Sequence, residues 1–428
     1  MNKNIKLAVA GAVLAVSATA ANAGIVIPAG DWTLDIGGIV NTYATWTRTS
    51  GATGLIGKGA VMTTSLEALS TAGSSNAKTQ SNMTTGLLPN YLSVSGTTRQ
   101  NDLDVAFTIS INPGSSTVNA GMQNGGGGAR ASNQENRQAF LTFGDKSWGS
   151  IKVGKDLGIF ASDAILNDMT LLGVGSAAGG LAGNTTTLGR IGTGFVYADW
   201  KAQIAYTTPN MNGLQATAGL TQAWDSMSVG STAGGGTVDQ TSSGRAGAGF
   251  AYEGKASYSF AANDMTGKIW VSGLAQRFQK VGGTNFDDRI AYAGDVGANV
   301  NAGGFGLTGY YYGGQGIGQT VQFLGAFDPS GRMRDANGGY VQATYVLPTK
   351  TKVGVSWGQS TLEKNAGDTG TVVGIGAKDM EDSMWAVGLY HPLTKHLNIV
   401  AEYTDTETDQ ARGNAHGRTG SLGAIMFF

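Results

Sequence analysis

The feature that most constrains the fold is an alternation of apolar and polar residues with a period of two, repeated along most of the chain. Between Trp32 and Val40 the even-numbered positions are mostly apolar, and Asp35 lies on the opposite face. The stretch from Val353 to Trp357 alternates in the same way. A period of two puts alternate side chains on opposite faces of a β-strand, whereas a helix repeats about every 3.6 residues. The pattern therefore predicts a chain built from strands.

The connections between the predicted strands alternate between short and long. The short turns are 100–101, 145–148, 209–212, 261–265, 301–302, 348–350 and 392–395, and the largest loops are 49–90, 112–135, 156–191 and 313–337. Short turns at one end and long loops at the other are typical of outer-membrane barrels. We count sixteen strands, joined by seven short turns. The prediction is an all-β, 16-stranded antiparallel transmembrane β-barrel with short periplasmic turns and long extracellular loops. A soluble β-sandwich and a secreted β-solenoid are the alternatives.

The first residues carry an export signal. Lys3 and Lys6 precede a small apolar stretch, and Ala21-Asn22-Ala23 is a cleavage site of the A-x-A type. We therefore predict a signal peptide at 1–23 and a barrel domain at 24–428. No later apolar run approaches the ~20 residues that a membrane-spanning helix needs.

The last strand has an apolar face, which we expect to point outward from the barrel. Leu422, Ala424, Met426 and Phe428 fall on one side of it. In a soluble domain such a strand would recruit other chains through its free edge. We expect it to close the barrel, with this face against lipid.

Composition excludes several other functions. The chain has no cysteine, which excludes a disulfide framework and a thiolate metal site. Its 28 Lys and Arg against 29 Asp and Glu are too balanced for nucleic-acid binding. His391 and His396 lie at a short turn, and we interpret them as turn residues. We therefore expect no cofactor, no metal centre and no nucleic-acid partner.

Four stretches resemble the Gram-negative general (trimeric) outer-membrane porin family. Residues 136–160 resemble its fourth and fifth strands, 189–220 its sixth and seventh, and 388–403 its last hairpin, while Phe428 matches its terminal aromatic residue. The resemblance implies a water-filled channel for small hydrophilic solutes and ions, usually a homotrimer, in the outer membrane with its lipid and lipopolysaccharide. It also implies that the third long loop, 156–191, folds inward to narrow the pore.

The sequence departs from the family pattern in two places, and the wall carries fewer basic residues than is usual in the family. The sixth strand reads Tyr-Ala-Asp-Trp at 197–200, where the family often has an arginine. The acidic loop motif Pro-Glu-Phe-Gly-Gly is also absent. Cation or anion preference is therefore left open, and we expect weak selectivity.

Candidate constriction residues lie on this loop and on the facing wall. On the loop, Asp163 and Asp168 are expected to form a charged edge, and the alternative is that they cap helices or pack between subunits. On the wall, the alternation points Arg99, Lys152 and Lys201 into the lumen. An unpaired lysine on the lipid face would cost about 2–4 kcal/mol near the midplane.

For two further bases, the sequence leaves two directions open. The resemblance turns Arg137 inward, but Arg137 shares its phase with Leu141 and Phe143, which should face lipid. Lys352 points inward by alternation, or reaches the headgroups from a strand end. The expected lumenal acids are Asp35, Asp104, Asp199 and Glu402.

Several functions stay open beside a general diffusion porin. Tyr310, Tyr311 and Tyr312 should place one ring in the lumen, where it could stack on sugars in a substrate-selective channel, or simply belong to an aromatic girdle. Acids at 405–409 could bind divalent cations that bridge lipopolysaccharide. A plugged structural or adhesive barrel is a third possibility. An enzyme is least favoured, because the sequence places no Ser-His-acid or paired-acid group.

Overall fold

The structure, a computed structural model, is a barrel of antiparallel strands. It describes residues 24–51, 79–115, 134–176, 186–226, 228–229, 238–239, 244–246, 249–280, 288–328, 330–368, 377–411 and 413–428. The predicted signal peptide, the middle of the predicted constriction loop (177–185) and most of the first two long loops lie outside these ranges. None of the helices in these ranges is long and apolar enough to cross a membrane.

Strands account for most of the described chain. They are β1 (Ile25–Ala29), β2 (Trp32–Gly51), β3 (Thr79–Thr84), β4 (Tyr91–Gln100), β5 (Leu103–Pro113), β6 (Gln134–Glu135), β7 (Ala139–Asp145), β8 (Gly149–Leu157), β9 (Trp200–Thr207), β10 (Leu214–Thr221), β11 (Ser228–Val229), β12 (Val238–Asp239), β13 (Gly244–Arg245), β14 (Ala251–Ala262), β15 (Met265–Lys280), β16 (Arg289–Ala302), β17 (Phe305–Gln315), β18 (Asp335–Val346), β19 (Lys352–Leu362), β20 (Met380–Pro392), β21 (Leu397–Gln410) and β22 (Gly413–Phe427). The helices are α1 (Ser162–Leu166) and a 3-10 helix (Met169–Leu172).

The antiparallel ladder closes on itself. Neighbouring strands of the barrel pair in chain order, and β22 returns to β2 with Ile39 opposite Phe427. Beyond β22, Phe428 exchanges two backbone hydrogen bonds with Gly38, of 2.7 and 3.0 Å. Three barrel strands are interrupted, because β3 and β4, β6 and β7, and β13 and β14 each follow one line. β11 and β12 form a separate two-stranded sheet. With β1 continuing the line of β22 along β2, the twenty strands of the main sheet therefore make up the predicted sixteen barrel strands.

The sixth strand is shorter than predicted. The alternation of apolar residues from Val196 to Tyr206 predicts a strand over 192–208, but β9 begins only at Trp200. Residues 192–198 are buried and belong to the segment that precedes this strand. The alternating side chains of residues 192–198 are buried in the protein and do not belong to a barrel strand. Periodicity alone therefore placed the start of this strand too early.

The two faces of the barrel differ as a membrane barrel requires. Exposed apolar residues alternate with buried or polar ones along nearly every strand. The outward set includes Val40, Trp46, Val94, Ile109, Leu141, Ile204, Tyr252, Val271, Val296, Leu307, Val341, Val355, Trp357, Trp385, Val387, Tyr403, Leu422 and Met426. Leu422 and Met426 thus lie on the predicted outer face. Lipid takes the place of a hydrophobic core outside the barrel, which explains why so many large apolar side chains are uncovered.

A charge on this outer face should destabilise the barrel. Val387 lies five residues before the end of β20 at Pro392, near the middle of the outward apolar band. We expect Val387→Lys to lower the free energy of unfolding from lipid vesicles by about 2–4 kcal/mol. Ser95→Lys is the matched control, because Ser95 faces inward and bonds to Thr108. Equal losses in the two variants, measured by urea titration, would contradict the assigned faces.

A second long connection also lies against inward-facing side chains. Between β17 and β18, Phe323 and Phe327 pack against Phe278 of β15, with ring centroids 5.0 and 5.1 Å apart. Arg334, at the end of this connection, is bonded to Asp368 and to two backbone carbonyl groups. The sequence suggested only a long extracellular loop here. Its apolar residues find partners inside the barrel mouth instead.

Candidate functional site

The connection between β8 and β9, residues 158–199, is the inner segment; 158–176 and 186–199 of it are described. The Tyr43 hydroxyl on β2 donates to the Leu172 carbonyl oxygen at 2.6 Å. The Tyr340 hydroxyl on β18 donates to the Ala164 carbonyl oxygen at 2.7 Å, and Gln342 accepts from the Met169 amide at 2.8 Å. These strands lie far apart around the closed barrel. The contacts therefore support the predicted inward fold of this loop.

Glu253 holds the start of the inner segment. One oxygen of its carboxylate accepts hydrogen bonds from two successive backbone amides, of Ile159 and Phe160, both at 2.8 Å. The other oxygen accepts from Lys201 at 2.6 Å and from the Thr221 hydroxyl at 2.9 Å. All four donors satisfy a carboxylate that is buried, which removes most of the cost of burying its charge.

Glu402 holds the middle of the inner segment in the same manner. Its carboxylate accepts from the successive amides of Val174 and Gly175, at 2.7 and 2.8 Å, and from the Tyr390 hydroxyl at 2.6 Å. A side chain at Gly173 would overlap this carboxylate, so the close approach requires glycine. Two wall glutamates thus each bind a pair of adjacent amides.

Asp163 contacts the wall rather than capping a helix. The cap position of α1 is Ala161, and the Asp163 carboxylate is bonded to Lys268 and, at 3.2 Å, to Lys255. Burial raises the pKa of Asp163, but the two ammonium groups outweigh it and leave the pKa below its usual value. This pairing contributes stability above the unfolded-state pKa, and the contribution is lost as the pH falls through the lower folded-state pKa.

Asp168 does cap a helix. Its carboxylate accepts from the Thr170 amide at 3.0 Å at the start of the 3-10 helix, and it lies 3.7 Å from the Arg190 Nε. Both charged side chains are completely buried. Burial raises the pKa of Asp168 and lowers that of Arg190. Arg190 also lies over the Tyr340 ring and donates to the Met384 carbonyl oxygen at 2.9 Å, which ties the returning part of the segment to β20.

The wall bases take different positions. Lys152 faces inward, bonded to Asp156 and 4.9 Å from the centre of the Phe140 ring. Lys201 also faces inward but is fully buried, between Glu253 and Gln322 at 2.6 Å each. It therefore anchors the inner segment rather than lining open space.

Arg137 lies outside a regular strand, and Arg99 lies at the end of β4. Arg137 lies in the interruption between β6 and β7, so the phase of β7 does not apply to it; it is buried, and bonded to Glu135 at 2.9 Å. Arg99 is bonded to Asp104 and Asp145 at 2.8 and 3.0 Å, at the end of the barrel that carries the short turns. The structure does not bring Arg99 to the inner segment.

Four residues of this site were missed in the sequence. Glu253 and Lys255 on β14, and Lys268 on β15, all have the phase of inward-facing residues, because their neighbours Tyr252 and Ile269 are exposed. Alternation could have found these three. Arg190 lies in an irregular segment and left no such signal.

The tyrosine run differs from the expectation of one inward ring. Tyr311 is exposed on the outer face, whereas Tyr310 and Tyr312 both face inward and are buried. Alternation requires this, since the first and third residues of three share a face. Tyr310 packs against Tyr340 at 5.7 Å between ring centroids. These rings have no open face on which a sugar could stack in this structure.

The closed barrel, its apolar outer face and its polar interior define an outer-membrane channel. A family model described as Gram-negative porin matches residues 8–411, and the chain belongs to that family. No curated protein matches its sequence. Similar solved structures include the outer membrane channel DcaP of Acinetobacter baumannii, with a TM-score of 0.63 and 14% identity over 94% of this chain and 99% of that one.

Two other solved structures share the fold. An anion-selective porin from Comamonas acidovorans has a TM-score of 0.55 and 16% identity over 93% of this chain and all of that one. OmpF of Salmonella typhi, in complex with daunomycin, has a TM-score of 0.55 and 12% identity over 94% of this chain and all of that one. The chain is thus a porin of the outer membrane, a channel for the passive diffusion of solutes. Family and fold indicate a channel rather than an enzyme.

Proposed function

We propose that this protein is a general diffusion porin whose narrowest zone is formed by the inner segment. The observation that carries the proposal is the pair of glutamate anchors. Glu253 on β14 and Glu402 on β21 each bind two adjacent amides of the segment, and so they fix it at two distant points of the wall. A connection held in this way occupies part of the bore permanently and sets the size of the solutes that pass.

The wall of β4 and β5 suits a water-filled passage. Its inward face carries Ser95 and Thr108, whose hydroxyl groups are 3.0 Å apart, with Arg99 and Asp104 nearer the short turns. Small polar side chains inside and apolar ones outside are what a porin requires. Among the predicted constriction residues, we assign Lys152 to the lining, and Asp163, Asp168 and Lys201 to the attachment of the segment to the wall.

We propose a homotrimer with no enzymatic activity, as the resemblance to trimeric porins implies, and outer-membrane lipid and lipopolysaccharide as its surroundings. The predicted cation bridge at 405–409 has weak support. Asp405 is bonded to Arg418 at 2.9 Å and Asp409 to Lys378, and no group of three metal-binding side chains occurs among the described residues.

Planar-bilayer recording of the refolded protein tests the proposal. We expect conductance steps in groups of three, and liposome swelling that falls smoothly with the size of uncharged sugars. A correctly inserted, heat-modifiable barrel that does not conduct would overturn the proposal in favour of a plugged barrel. Saturable block by one class of solute would favour a substrate-selective channel instead.

A further inference from the structure

Two groups of ion pairs beside the inner segment, unlike the fully buried pairs of Arg190 and Lys201, bury their acids and leave their bases partly exposed. The side chain of Asp163 is 4% exposed, whereas its partners Lys255 and Lys268 are 23% and 31% exposed. The pair on β8 repeats this arrangement, with Asp156 at 3% and Lys152 at 23%. Water and permeating ions in the lumen therefore meet the ammonium groups first.

The group around Asp163 also has an unequal charge. One carboxylate is shared by two lysines, so the three side chains together carry one net positive charge. Because the carboxylate lies behind the ammonium groups, it is farther from any ion in the lumen, and its field there is weaker. Lys352 does not add to this excess: it faces inward over the Tyr390 ring, whose hydroxyl group is bonded to Glu402, so that Lys352 and Glu402 together carry no net charge.

Other charged groups near the lumen do not share this arrangement. Asp295 on β16 is an inward, buried acid bonded to the Tyr310 hydroxyl group, and Glu135 is more exposed than its partner Arg137. At the end with the short turns, Arg99 is surrounded by Asp104 and Asp145. That end lies away from the inner segment. Selectivity is decided where the bore is narrowest and the field is least screened.

We propose that Lys255 and Lys268, supported by Lys152, make this porin prefer small anions such as chloride and carboxylates over cations of the same size. The preference rests on the proposed function, because it needs an open bore beside the inner segment. Lys255 and Lys268 are then the residues that determine its charge selectivity.

The test is the reversal potential in planar bilayers under a tenfold gradient of KCl. We expect an anion-directed potential for the unaltered protein. Asp163→Asn should raise the chloride-to-potassium permeability ratio about two- to threefold, because it removes one negative charge beside the lumen and leaves both ammonium groups charged. The triple variant Lys255→Met, Lys268→Met, Asp163→Asn should lower the ratio by a similar factor. It leaves no unpaired acid buried, so the segment keeps its position.

Lys155→Met is the matched control, because Lys155 is on β8, three residues after Lys152, but is exposed and bonded to the Asn136 carbonyl oxygen. Its permeability ratio should equal that of the unaltered protein.

A cation-directed potential in the unaltered protein, or an unchanged ratio in the triple variant, would overturn the proposal. Conducting channels with the wrong selectivity refute only this inference, whereas absent conductance refutes the proposed function. If the triple variant fails to fold, Lys152→Met with Asp156→Asn tests the same lysine effect at β8.

Discussion

Replacing Glu402 with glutamine should enlarge the channel and raise its single-channel conductance about twofold, because the narrowest zone limits conduction. The glutamine oxygen can still accept from the amides of Val174 and Gly175, but without the negative charge, and the NH2 group faces the Tyr390 hydroxyl group. Each of the two bonds then weakens from about 1.5–3 kcal/mol to about 0.5–1.5 kcal/mol. The middle of the inner segment would leave the wall for part of the time, and larger sugars would pass.

Conductance and liposome swelling measure this effect, and two further variants sharpen it. Glu253→Gln should act in the same direction at the start of the segment, and the double variant should exceed either single one. Asp104→Asn is the control, because Asp104 is also a wall carboxylate but is bonded to Arg99 at the end of the barrel that carries the short turns. If Glu402→Gln keeps the conductance and sugar cut-off of the unaltered protein, Glu402 does not hold the segment.

Replacing Asp168 with alanine should cause the largest loss of stability of any single change in the inner segment. The change removes the cap of the 3-10 helix, which costs about 1 kcal/mol. It also leaves the Arg190 guanidinium buried without its carboxylate, and breaking a buried pair in this way costs about 3–5 kcal/mol. Urea unfolding of the refolded barrel in detergent, followed by electrophoretic mobility and tryptophan fluorescence, measures the loss.

The exposed pair of Arg277 and Asp288 supplies the control for this prediction. Asp288→Ala should cost less than about 1 kcal/mol, because solvent screens an exposed pair. Asp168→Ala combined with Arg190→Met should recover part of the loss, since no unpaired charge then remains. A loss in Asp168→Ala no larger than that in Asp288→Ala would show that the pair does not stabilise the segment.

The barrel itself could be predicted because its physics is local. Lipid outside and water inside force a period of two along every strand, and each strand carries this pattern in its own residues. Strand number and inward-facing residues such as Lys152, Lys201 and Glu402 follow directly. Closure follows too, since a membrane barrel cannot leave an edge unpaired.

The tertiary structure alone decided what the inward-facing residues do. Lys201 and Lys152 both lie at inward-facing positions of their strands. Lys201 is nevertheless completely buried, whereas Lys152 is partly exposed. The pairing of Asp163 with Lys255 and Lys268 joins residues about a hundred positions apart, through a segment without periodicity. Its course depends on which wall side chains meet its backbone amides. Such contacts depend on three-dimensional proximity, and no residue pattern within the segment itself records them.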